Sequence, residues 1–133
     1  MNTNYCLYKN KTLAYVAGGS FASDAYRKGG MEAMSEIAGT SFLAITADDG
    51  KEYNIGKYNV SPATDEKISE LLPKACPAFR IIVTLDQLKP KDRKSRFRWS
   101  EIKSMNGVPY MLEQGYSENE ILEYLENEYF VVP

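Results

Sequence analysis

With 133 residues, 44% of them apolar and 26% charged, the chain has the make-up of one ordinary globular domain and lies far from the composition of a disordered segment. Its net charge of −2 hides two opposed blocks: residues 89–103 sum to +5, residues 104–133 carry six glutamates and no basic residue, and residues 1–88 sum to −1. Histidine is absent, which removes the Ser-His and Cys-His pairings and the commonest zinc ligand, and so lowers the expectation of an enzyme.

In chain order, Tyr5 to Tyr8 and Thr12 to Val16 are β-favouring runs joined by Lys9, Asn10 and Lys11, a tight hairpin. Ala17-Gly18-Gly19-Ser20 then marks a break before a helix start at Ser23-Asp24. Gly29-Gly30 predicts an interruption, after which Met31, Met34, Ile37 and Ala38 share a face up to Gly39. Phe42–Thr46 and Glu52–Ile55 flank Asp49-Gly50, a second hairpin.

Ser61-Pro62 reads as the cap and first residue of a helix with Asp65 and Glu66 in its first turn and Ile68, Leu71 and Leu72 as its buried stripe. Phe79 to Leu85, FRIIVTL, reads as a buried fifth strand. The basic run LKPKDRKSRFRW shows neither period and reads as a loop or arm. Short helices are expected at Ser100–Asn106, closed by Gly107, and Pro109–Gln114, closed by Gly115. Ser117 and Glu120 form a capping box that opens a last helix, with Ile121, Leu122 and Leu125 on its apolar face.

These elements define an α+β fold: a small antiparallel sheet built from hairpins, faced by short helices, with a helical C-terminal third. A single domain is expected, divided into a core (1–88), a basic segment (89–99) and an acidic helical segment (100–133). Cys6 and Cys76 are too few and too far apart for a disulfide framework or a metal knuckle and read as buried thiols. No stretch approaches a membrane span and the N-terminus lacks an apolar leader core, so a cytoplasmic location without membrane contact is expected. The lean towards Lys, Asn, Tyr and Ile fits an AT-rich genome such as that of a low-GC bacterium or its phages.

Three constellations carry the functional expectations. Gly18-Gly19, between a strand and a helix, lies where phosphate-cradling loops occur, with Arg27 and Lys28 about a turn away, although it lacks the spacing of such motifs. Arg93, Arg96 and Arg98 interleaved with Phe97 and Trp99 suit an anionic nucleotide, cations meeting phosphates and rings stacking on bases; the competing reading makes Phe97 and Trp99 core anchors. Glu118, Glu120, Glu123 and Glu126, with Tyr124 among them, form an acidic helix face suited to a basic protein surface; Glu120, Glu123 and Glu126, spaced three apart on one face, also suit a hard cation or nucleic-acid mimicry. Like charges at that spacing call for a cationic neighbour, in a partner or in residues 89–98 of a second copy.

The glutamates rule out a duplex-DNA-reading helix. The sequence therefore predicts a small non-enzymatic binding or inhibitor protein, of the kind phages and mobile elements encode. It would act by charge-complementary contact with a basic protein or in a homo-oligomer, without cofactor or metal. Binding of an anionic small molecule is the alternative, and a carboxylate-dependent enzyme is third.

Overall fold

The computed structural model describes residues 2–16, 21–36, 41–104 and 107–132. It is an α+β fold whose packing divides into two compact units, Met1–Asp48 with Glu52–Ala75, and Asp49–Lys51 with Cys76–Pro133. The charge shift at residue 88 thus lies inside the second unit, 13 residues after the packing boundary.

The first unit is a five-stranded antiparallel sheet in the order β4-β3-β2-β1-β5, with helices α1 and α2. Strands β1 (Tyr5–Tyr8) and β2 (Thr12–Tyr15) pair in the expected hairpin, where Lys9 and Asn10 both take positive φ. Strands β3 (Ser41–Thr46) and β4 (Glu52–Gly56) form the other. At its turn Gly50 has φ 71°, and the Asp49 carboxylate accepts the Lys51 N–H at 2.9 Å, which is why Asp-Gly is informative there.

Helix α1 (Phe21–Ser35) breaks at Gly30, φ 71° and ψ −154°, at the predicted interruption. Its residues Ala22, Tyr26 and Met34 pack with Cys6, Ala14, Phe42 and Ala44 of the sheet. Tyr26 stacks on Phe42 at 5.3 Å and donates its hydroxyl to the Tyr5 carbonyl at 3.2 Å, so its one polar atom is satisfied in the core. Ile37, Ala38 and Gly39 lie outside the described residues.

Ser61 and Pro62 do not open a helix. They belong to a short edge strand, β5 (Val60–Pro62), paired with β1, where the missing proline N–H costs no ladder bond. The cap is Thr64, whose hydroxyl accepts from Lys67 N–H, and α2 runs Asp65–Leu71 with no fully buried residue.

The second unit is helical. The FRIIVTL run, read as a strand, is helix α3 (Pro77–Asp86), in which Ala78, Phe79, Ile81, Ile82, Val83 and Leu85 are all buried. A helix buried nearly all round loses the 3.6-residue alternation and looks like a core strand, and Pro77 at its first turn is the overlooked start signal. The basic arm is likewise a helix, α4 (Arg93–Ser104), started by Asp92, whose carboxylate accepts Ser95 N–H at 2.7 Å. Its buried stripe of Ser95 and Trp99 begins with a small polar residue, which conceals the period.

Helix α5 (Gly107–Glu113) follows; Gly107 opens it rather than closing α4. A Cβ there would collide with the Ile102 carbonyl, so the glycine serves close approach between consecutive helices. Helix α6 (Glu118–Tyr129) has the full capping box, Ser117 accepting from Glu120 N–H and Glu120 accepting from Ser117 N–H, both at 3.1 Å. Ile121 and Leu125 are its buried residues. Antiparallel bonds between Lys89 and Val131 and between Lys91 and Tyr129 tie the entry of α4 to the end of α6. No described helix is long and apolar enough to cross a membrane.

Candidate functional site

The acidic face of α6 is sorted by its neighbours. Glu118 is engaged within the chain: Arg80 of α3 donates Nε to Oε1 at 3.2 Å and Nη2 to Oε2 at 3.1 Å. This two-pronged bond raises the Arg80 pKa and removes Glu118 from the available face. Lys91 reaches the Asn127 carbonyl in the last turn of α6, where a cation meets the negative end of the helix dipole. The cationic neighbours that the glutamates demand are thus partly supplied by the chain itself. Glu126 is half-buried.

Glu120 and Glu123 remain, and they share a groove of about 700 Å³ with Tyr116, Tyr124 and Asn127, over a floor that includes Met111 and Ile121. Glu120, Glu123, Tyr124 and Asn127 follow the i, i+3, i+4, i+7 spacing of one helix face. Tyr116 and Tyr124 are 55% and 57% exposed. Glu120 is held at the groove by its capping bond, and Glu123 has no ion pair among the described residues. The site therefore combines an apolar floor, two ring faces and two carboxylates, a combination that holds a lysine or arginine side chain flanked by apolar groups.

Sequence reasoning finds Glu120, Glu123 and Tyr124 but misses Met111, Tyr116 and Asn127. The signal for Tyr116 is its position between Gly115, with φ 95°, and the Ser117 cap, a turn that leaves a large ring little core to enter. Among the described residues no three carboxylate or thiol groups converge to hold a metal ion, so Glu120, Glu123 and Glu126 do not form a hard-cation site.

The basic-aromatic segment divides differently. Trp99 is 3% exposed, packs edge-on against Phe130 at 5.3 Å and donates its indole N–H to Asp86 at 3.4 Å. It is a core anchor and presents no face for stacking on a base. Phe97, by contrast, is 60% exposed, with the Arg93 guanidinium 5.7 Å from its centre. Lys94 and Arg96 are exposed. Arg98 is bonded to Tyr129 and to Glu101, the latter at 3.1 Å, which raises its pKa. The 500 Å³ cleft beside Phe97 and Arg98 also presents Asp92, Glu101 and Glu128, charges that oppose an anionic ligand.

Arg27 and Lys28 belong to α1 in the first unit, where the Arg27 guanidinium lies over the Tyr15 ring at 5.9 Å. Gly18 and Gly19, the other half of that expected anion site, lie outside the described residues. Comparison with known proteins gives no match to a family model, to a curated protein or to a solved structure.

Proposed function

We propose that this is a small non-enzymatic binding protein that takes up a basic protein surface in the groove between α5 and α6. The carrying observation is the convergence of exposed Tyr116 and Tyr124 with Glu120 and Glu123 over an apolar floor. Two aromatic rings held half in water stabilise no core, and two carboxylates on one face repel each other. A cationic, partly apolar side chain satisfies both features at once. Duplex DNA and anionic ligands are disfavoured at this site by the same charges.

The test compares the wild-type chain with the double variant Glu120→Gln/Glu123→Gln, in which the side-chain amide oxygen introduced at position 120 still accepts the capping bond. The probe is a labelled synthetic helical peptide bearing arginines around a single phenylalanine. Binding is expected for the wild type at low salt and weakened about three- to tenfold in the variant, the difference shrinking as salt rises. Equal binding by both proteins at low salt overturns the proposal.

A second reading, an anionic small molecule on α4, rests on the exposed Phe97 with Arg93, Lys94 and Arg96 around it. Mass spectrometry of the purified protein separates the two: a co-purified nucleotide lost on Arg93→Gln/Arg96→Gln substitution favours this second reading.

A further inference from the structure

Resting on the groove reading, we propose that the groove's occupant is a second copy of this chain, which inserts Phe97 with Arg93 and Lys94 beside it on α4. Arg93, Lys94, Phe97 and Glu101 share one helix face by the i−4, i−3, i, i+4 rule, with Phe97 at its centre. Among the described residues Phe97 is the most exposed aromatic side chain of the second unit, and Arg93 already lies along its ring. That face offers an apolar knob with two cations on one side. The groove offers an apolar floor with two carboxylates along one wall, Glu120 and Glu123. The chain's two largest opposite charge excesses, +5 in residues 89–103 and −6 in residues 104–133, thus each contribute one half of a matching pair.

The cleft beside Phe97 and the groove beside Tyr124 share no residue. Each copy therefore carries one knob and one groove: where both pairs meet at once the contact closes as a two-fold dimer, and where only one pair meets it runs head-to-tail into a ring or an open chain. Both halves belong to the second unit, so the contact needs nothing from the sheet.

The experiment is complementation by sedimentation at low salt. One variant, Glu123→Lys/Tyr124→Ala, keeps the knob and loses the groove; the other, Arg93→Glu/Phe97→Ala, keeps the groove and loses the knob. All four side chains are exposed, and circular dichroism checks that both variants fold. The wild type is expected to gain mass with concentration and to lose it at high salt. Each variant alone is expected to be monomeric, and their equimolar mixture to form a dimer that grows no further.

A monomeric wild type, variants that still self-associate, or a mixture that stays monomeric overturns the proposal. If the wild type is monomeric yet binds the arginine-phenylalanine peptide through Glu120 and Glu123, self-docking fails while the groove reading stands. If it neither associates nor binds the peptide, both fail.

Discussion

Trp99 shows how one side chain can be decided by its polar atom. Its indole N–H and the Lys103 ammonium converge on the same Asp86 carboxylate oxygen, at 3.4 Å and 2.7 Å. The Asp86 and Lys103 side chains are only 8% and 11% exposed, and the ammonium lies 5.9 Å from the indole centre. Trp99→Ala is expected to cost about 3–5 kcal/mol and lower the melting temperature sharply. An unchanged thermal melt would make Trp99 a recognition residue again. Lys103→Met leaves Asp86 charged and nearly buried, at a cost of about 3 kcal/mol, and Asp86→Asn added to it should recover part of that loss in a denaturant titration. Cys6 is buried in the sheet core, which pushes its thiol pKa up to about 12. The folded state favours the neutral thiol, so this contribution to stability is complete below the ordinary thiol range and is lost as pH rises towards 12. At neutral pH a thiol reagent should modify Cys76, half-buried at the start of α3, well before Cys6, which should react only on unfolding.

At the level of elements, legibility follows local chemistry. The two hairpins and the capping box rest on turn and cap residues whose preference is intrinsic, and they lie where the sequence puts them. The kink at Gly30 belongs with them. Elements decided by burial are harder to read: α3 is apolar on nearly every side, α4 hides its stripe behind Ser95, and β5 borrows the Ser-Pro grammar of a helix start. Ser117→Ala should remove half of the capping box and cost about 1 kcal/mol in chemical denaturation. Gly50→Ala should cost more, about 1–2 kcal/mol from the left-handed backbone alone, with a further clash against the Ala78 methyl. Asp92 makes an acid-side prediction: the Ser95 N–H, foremost, holds its carboxyl below the usual range. Its contribution is present above the ordinary carboxylate pKa and vanishes as pH falls through the lowered value, so Asp92→Ala should flatten the acid limb of the stability profile.

For the whole molecule, charge counted along the chain locates the acidic and basic faces but not their internal settlement. Arg80 is 38 residues from Glu118, and nothing in either local sequence announces that they pair. The sequence alone therefore keeps Glu118 on the binding face and lacks Tyr116 and Met111, which only the α5–α6 turn brings beside Tyr124. Phe97 and Trp99, two residues apart, illustrate the same limit: alternate positions share a face on a strand but diverge by about 200° on a helix, so one is core and the other surface. Trp99 is also the chain's only tryptophan, and it lies wholly within the second unit. Its emission, excited where tyrosine does not absorb, is consequently a private gauge of the helical half: a denaturant curve followed by that fluorescence gives the midpoint of the groove-bearing unit without any tryptophan signal from the sheet.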